Sequence, residues 1–263
     1  MEIRIWGVRG SMPAAGAAFA RYGGHTACLS AESAGALVVL DAGSGLGGLG
    51  RQAEGQRRFD ILISHLHLDH LLGVPMFRPL YDPAVEVHFY GPPDLPEALG
   101  RLMAPPYWPA ALADVPAQVH FHPVPPDTDF RLADGLGPEI AALAGDHPGG
   151  SLLYRLRDGD SALVHALDCE LRGGMAARLT AFAEHAALLV WDAGFAPADL
   201  RPGWGHSTWE QGCAAARASG VDTVLMSHYG ADYTDTFLDQ QAALASREEP
   251  RCRFAKEGMR LWI

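Results

Sequence analysis

The chain is poor in positive charge, sparing with cysteine, and without a long apolar run. It carries 20 Lys and Arg against 31 Asp and Glu, a formal net charge of −11 over 263 residues with histidines neutral. Such a surface opposes unaided binding to a long polyanion, which draws on clustered basic residues. No Gly/Lys/Arg-rich insertion offers a grip on folded RNA, so a nucleic-acid partner is not expected. A small anion remains admissible, because metal ions supply local positive charge. The four cysteines, Cys28, Cys169, Cys213 and Cys252, form no CxxC pair, which argues against a zinc ribbon or a dense disulfide framework. No apolar run approaches the roughly 20 residues that span a bilayer. The opening Met-Glu-Ile-Arg-Ile-Trp-Gly lacks the profile of a signal peptide. A cytoplasmic protein with no membrane partner is expected. No stretch reads as a linker, so one domain over 1–263 is expected, built of two similar halves, about 1–135 and 136–263, around one core. A homodimer is compatible with such a chain.

What the chain does have is histidine, 12 in all. Three of them fall in Ser64-His65-Leu66-His67-Leu68-Asp69-His70, with one aspartate among them. The apolar run Phe59–Ile63 precedes this stretch and reads as a buried strand. Imidazole nitrogen and carboxylate oxygen suit zinc, manganese or iron. In extended backbone His65 and His67 point to one side, and Asp69 and His70 lie where the chain turns. Two metals side by side, each with its own ligands, are expected. A surface loop that merely happens to be rich in histidine would not so regularly follow a buried strand.

Strands are expected at Glu2–Val8, Ala27–Ser30, Ala36–Leu40, Val85–Tyr90, Glu139–Ala144, Ser151–Leu156, Ala162–Leu167, Leu188–Trp191, Thr223–Met226 and Met259–Ile263. Helices are expected at Pro96–Met103, Met175–Ala187, from Ser207 to about Ser219, and from near Asp235. Ser207-Thr208-Trp209-Glu210 has the form of a capping box with Ser207 as the cap, and Gly220 ends that helix. Asp41 to Gly47 is a glycine-rich turn that either lets the backbone pass close to a site or only reverses the chain. Pro105-Pro106-Tyr107-Trp108-Pro109 is a rigid aromatic segment, either surface punctuation or a cover for a site.

Two metals need more than four ligands. His147, Asp168 and His228 each follow an apolar strand directly, as His65 follows Ile63. One such residue is ordinarily a satisfied loop polar group; three in this order after the histidine stretch form a candidate ligand set.

The pattern His-x-His-x-Asp-His resembles the signature of the metallo-β-lactamase superfamily and matches it completely. That resemblance implies an α/β fold, a four-layer αββα sandwich with the site along one edge of two sheets. The order of residues resembles the ribonuclease Z-like, phosphodiesterase branch. Closer still is a group of bacterial metallo-hydrolases whose chains open with Trp-Gly-Val-Arg-Gly-Ser-x-Pro, here Trp6 to Pro13. They continue with Arg-Tyr-Gly-Gly-Asn-Thr, Asp-Ala-Gly, Asn-His-Pro-Gly-Gly and Gly-Trp-Gly-His-Ser-Thr. Three departures are present: His25 and Asp146 replace asparagines, and Tyr229 to Tyr233 replaces a His-Asp-Pro run. His25 is not counted as a ligand.

Carried over residue by residue, the resemblance implies one divalent metal on His65, His67 and His147 and another on Asp69, His70 and His228. Asp168 would bridge the two, together with a water or hydroxide. Zinc leads the choice, with manganese and iron also suited. Asp69 counts as both ligand and catalytic group. His206 resembles the histidine of the ribonuclease Z His-Ser-Thr motif, which faces the scissile group. There it could give a proton to the leaving oxygen, with Asp192 orienting it. The expected function is a dinuclear metal-dependent phosphodiesterase for a small phosphodiester, a cyclic nucleotide among the candidates, by attack of a metal-bridged hydroxide. The alternatives are a tRNA 3′-end endoribonuclease and a hydrolase of lactones, thioesters or lactams. True β-lactamases usually place cysteine where Asp168 stands.

Overall fold

The computed structural model describes residues 1 to 263 as two seven-stranded sheets packed face to face. In spatial order the first sheet is β14 (Arg260–Trp262), β1 (Glu2–Gly7), β2 (Cys28–Ser33), β3 (Ala36–Leu40), β4 (Arg58–Leu62), β5 (Glu86–Gly91) and β6 (Gln118–Pro123). The second is β13 (Cys252–Phe254), β12 (Thr223–Ser227), β11 (Leu188–Asp192), β10 (Ser161–Ala166), β9 (Ser151–Asp158), β8 (Glu139–Gly145) and β7 (Thr128–Phe130). Helices α1 (Leu46–Gln52) and α2 (Leu95–Leu102) flank the first sheet, and α3 (Met175–Phe182), α4 (Trp209–Ser219) and α5 (Asp235–Glu248) flank the second. This is the expected αββα sandwich. The two sheets are not divided cleanly between the halves of the chain. β14 returns to pair with β1, and β7 already belongs to the second sheet.

Strand character follows burial. β1 alternates, with Ile3 and Ile5 inward and Glu2 and Arg4 partly exposed, as in a half-buried antiparallel strand. β11 is a near-continuous apolar run because a helical layer covers one face and the opposite sheet the other; β4 is buried on both faces as well, and its buried Asp60 is paired with Arg58. One hydrophobic cluster fills the space between the sheets and reaches under α3, α4 and α5. A second lies between the first sheet and α1, α2 and the turns after the histidine stretch.

β3 through β6 are parallel, as are β10 through β13. Open parallel sheets gather ligands at the carboxyl ends of their strands: six of the seven expected ligands lie on connections that leave β4, β10 and β12, and His147 lies in the antiparallel turn between β8 and β9 at the same edge.

Several local expectations are corrected. The cap of α4 is Thr208, not Ser207: the Thr208 hydroxyl accepts from Gln211 N, and the Gln211 side chain accepts from Thr208 N. Ser207 is otherwise engaged, its hydroxyl donating to Cys169 O at 2.5 Å. α3 ends at Phe182, not Ala187, because His185 turns left-handed (φ 52°) to feed β11. The glycine-rich turn after Asp41 continues into α1, and β6, β7 and β13 are strands that the pattern did not announce. The end of α4 at a left-handed Gly220 is as expected.

Candidate metal centre

The centre is built from strand ends. Asp41 follows β3, Asp168 follows β10 and His228 follows β12; all three are left-handed, with φ of 60°, 53° and 63°. Asp and His enter this region more readily than most residues. The sharp turn swings each side chain off its strand and into a common space, a local strain of the kind that concentrates at functional sites. The first-sheet stretch reaches the same space differently. His65 and His67 follow β4 in extended backbone, and a single 3-10 turn, Leu68–His70, then presents Asp69 and His70.

The seven residues meet there. Donor atoms of His65, His67, His147 and Asp168 lie within 4.8 Å of one another, and so do those of Asp69, His70 and His228. The Asp168 carboxylate faces both sets. Its Oδ1 is 3.7 Å from Nε2 of His65 and of His147. Its Oδ2 is 3.1 Å from His70 Nε2 and 3.2 Å from His228 Nε2. Asp69 Oδ2 is 3.3 Å from the same two nitrogens and accepts a hydrogen bond from Ser11 N at 2.7 Å.

The outward nitrogens fix the rings. His70 Nδ1 is 2.9 Å from Asp41 Oδ2, His147 Nδ1 is 2.9 Å from Gly205 O, and His65 Nδ1 is 3.0 Å from Ser64 Oγ. Such outer partners orient ligand histidines and set their tautomers. Gly205 has no room for a side chain, since a Cβ would lie 2.2 Å from His147 Nδ1. The turn after Asp41 serves both readings given above: it reverses the chain, and a Cβ on Gly43 would stand 2.4 Å from Asp69 O.

Whether these residues fit divalent metals is tested by the atoms left over. His65 Nε2 is buried without a hydrogen-bond partner. His67 Nδ1 faces His147 Nε2 at 3.0 Å, and His70 Nε2 faces His228 Nε2 at 3.2 Å. Imidazole nitrogens aimed at one another inside a buried space suit a cation between them.

The electrostatics agree. Burial disfavours charge on His228, but the nearby carboxylates of Asp168, Asp192 and Asp69 outweigh it and raise its pKa to about 10. Burial likewise opposes the rise at His70, which Asp168 and Asp41 drive. His65 moves the other way, to about 3, through burial and then the neighbouring His70. Burial works against ionisation of Asp168, yet His228, His70 and His65 hold its pKa well below the usual range. Buried carboxylates here require positive charge, supplied by protons or by metal ions.

His206 stands at the mouth, with Nδ1 3.0 Å from Asp192 Oδ2 and 3.8 Å from Asp168 Oδ1. Asp192 also accepts from Gly194 N at 2.8 Å and lies 3.6 Å from His228 Nδ1. Burial lowers the His206 pKa, but the Asp192 charge and hydrogen bond raise it overall. Glu170 fixes the loop before His206 by accepting from Gly203 N and Gly205 N. His25 is exposed, with Nδ1 3.1 Å from Ser44 Oγ, and belongs to neither donor set. In the Pro105–Pro109 segment Tyr107 is exposed and Trp108 Nε1 is 3.4 Å from the Tyr81 hydroxyl.

Three supporting residues escaped the sequence reading. Asp41 orients His70 and accepts from Ser64 N; its position directly after a buried strand was the available signal. Ser11 holds Asp69 through its backbone. Arg9 is fully buried and donates to Gly23 O, Gly230 O and Tyr233 O, tying the loop that carries Ser11 to the segment after His228.

The family model described as the beta-lactamase superfamily domain matches residues 37–229, a span that holds all seven donors. The chain belongs to the beta-lactamase superfamily. Its fold is the metallo-β-lactamase fold. No curated protein sequence matches it. Solved structures share the fold of this superfamily member at low identity. The metallo-β-lactamase fold protein YhfI from Bacillus subtilis is 18% identical with a TM-score of 0.74, over 99% of this chain and 98% of that one. A diphosphatase from the PhnP family is 18% identical with a TM-score of 0.72, over 100% and 97%. The short form of human tRNase Z, ELAC1, is 17% identical with a TM-score of 0.71, over 100% and 99%. No helix is long and apolar enough to cross a membrane.

Proposed function

We propose that the protein is a dinuclear metal-dependent phosphodiesterase for a small phosphodiester, with cyclic nucleotides among the candidate substrates. The observation that carries this reading is Asp168, a carboxylate with one oxygen toward each donor set, where a thiolate would suit lactam chemistry. His65, His67 and His147 would hold one divalent ion, Asp69, His70 and His228 the other, and Asp168 both. When bound, such ions acidify water and offset the negative charge of a phosphoryl group.

The chain's own residues supply the remaining parts. Asp192 takes the Nδ1 proton of His206 as a hydrogen bond and leaves Nε2 for a substrate oxygen. The Asp192 carboxylate raises the pKa of His206, which favours a proton on that nitrogen for delivery to the leaving oxygen. Asp41, Ser64 and the Gly205 carbonyl keep the inner rings aimed inward, so the geometry need not reorganise as charge develops. Two similar structures bear names of phosphate chemistry, a diphosphatase and a tRNase, which favours phosphoryl transfer over lactam opening. A net charge of −11 argues against tRNA and for a small substrate.

The test is hydrolysis of bis(p-nitrophenyl) phosphate by metal-stripped protein to which zinc or manganese is returned, beside Asp168→Ala. Metal-dependent turnover lost in the variant is expected, after which cyclic nucleotides and tRNA are compared. No turnover with two metals bound would overturn the reading and direct attention to lactones, thioesters and lactams.

A further inference from the structure

The first sheet carries a second group of imidazoles away from the cleft. His88 on β5 pairs with His120 on β6, and Tyr90 with His122, so these side chains share one sheet face. It is the face turned to the other sheet, since Tyr90 lies in the core between them, whereas Val87 and Phe89 pack against the outer layer. Nδ1 of His88 is 2.9 Å from Nε2 of His122. The exposed His120 ring is stacked on His88 with centroids 4.5 Å apart. His88 is only 6% exposed, and its Nε2 is buried without a hydrogen-bond partner. That atom points toward Glu86 Oε2, 3.5 Å away.

His88 thus repeats the arrangement of the ligand histidines in the cleft. One nitrogen faces another imidazole at close range, and the other faces a carboxylate, as in His70 between His228 and Asp41. A carboxylate behind a histidine is a common outer partner of a metal ligand.

We propose that His88, His120 and His122, with Glu86 behind His88, bind a further divalent transition-metal ion independent of the cleft. Imidazole sets of this kind take zinc, nickel or copper. A tetrahedral zinc ion at about 2.0–2.1 Å from each nitrogen holds them about 3.3 Å apart, so the His88–His122 pair need open by only a few tenths of an ångström. His120, on an exposed edge strand, supplies the third nitrogen by a change of side-chain rotamer, and the fourth position is open to water. Burial lowers the pKa of both His88 and His122, which keeps the rings neutral and able to bind near pH 7. A bound ion would tie the edge strand β6 to β5. A plain hydrogen bond between two neutral rings explains the close pair without any ion, and the two accounts differ in a countable quantity.

The experiment reloads metal-stripped full-length protein with zinc, removes the excess, and counts metal by plasma mass spectrometry. Wild type is compared with His122→Ala and with the exposed variants His120→Ala and Glu86→Gln. His122→Ala is expected to hold one zinc fewer than wild type, with diester turnover unchanged. His120→Ala and Glu86→Gln are expected to bind the extra ion at least about 10-fold more weakly. The extra ion should also raise the melting temperature of wild type but not of His122→Ala. Equal zinc content in wild type and His122→Ala overturns the proposal. If His122→Ala does not fold, unchanged zinc affinity in both exposed variants overturns it instead.

Discussion

The first sheet delivers His65, His67, Asp69 and His70 to the cleft from one connection, whereas the second delivers His147, Asp168 and His228 from three. The two walls are held by different means. In the first, an extended segment and one 3-10 turn are enough, because neighbouring residues are spaced by the chain itself. In the second, each donor depends on its own strand end. Asp168 and His228 are swung inward by left-handed backbone, and Ser151 Oγ pins the Asp168 carbonyl at 2.8 Å. Glu170 and Asp192 tie the loop between β11 and α4 beneath them. A contiguous wall is rigid by connectivity, and a dispersed one only through its packing and hydrogen bonds. Substitutions in the second wall should therefore separate into those that empty the centre and those that leave it loaded but slow.

Asp168→Ala is the largest break. It removes the one carboxylate that both sets share, and turnover should fall to the buffer background with loss of bound metal. Metal analysis and diester hydrolysis on the same sample check it; full metal content with wild-type turnover would mean that the walls do not depend on Asp168. His206→Ala sharpens the comparison from the other side. It should lower kcat by about 10²–10⁴-fold while metal content stays at the wild-type level, since His206 stands at the mouth and is braced by Asp192. A variant that also loses metal would make His206 part of the ligand set.

The same difference explains what could be read from the chain. The first wall was legible because its chemistry lies in six consecutive residues after an apolar run. The second was legible only as polar residues directly following predicted strands, and its assignment drew on resemblance as well. Asp41 obeys the same positional rule as Asp168, but a lone carboxylate in a glycine-rich turn carries no local sign of the histidine it will meet. The cap of α4 was placed one residue early because Ser207 gives its hydroxyl to Cys169 O, a tertiary partner outside any local capping rule. β6 went unseen because its alternation of Val119 and Phe121 with Gln118, His120 and His122 is that of an edge strand rich in polar residues. The sandwich itself was legible, since its central parallel strands β3, β5, β10, β11 and β12 are largely apolar runs of ordinary length.

Asp41→Asn probes the first wall more gently. It keeps the shape of the side chain and removes the charge that faces His70 Nδ1. Outer-partner changes of this kind cost about 10–100-fold in metal affinity or activity. The loss should show in competition with a chromophoric chelator, and it should fall on one ion more than on the other, because Asp41 supports His70 and not His67 or His147. Equal weakening of both ions would mean that Asp168 couples the walls so tightly that they act as one.

The smallest effect concerns the metal-free protein and runs opposite to that of the loaded one. With no ion present, the carboxylates between the walls are balanced by protons on His70 and His228. The His228 pKa is raised to about 10 in the folded protein, against about 6.5 when unfolded. A raised pKa contributes stability that is complete below the unfolded value and is lost as pH rises through the folded one. The melting temperature of chelator-treated protein should therefore be higher at pH 6.5 than at pH 9.5. Metal binding requires the same ring neutral, so zinc or manganese should be held more tightly at pH 9.5. Scanning calorimetry of both forms at the two pH values checks the pair of slopes. A metal-free protein that is as stable at pH 9.5 as at pH 6.5 would mean that protons do not stand in for the ions, and that the second wall keeps its shape without charge between it and the first.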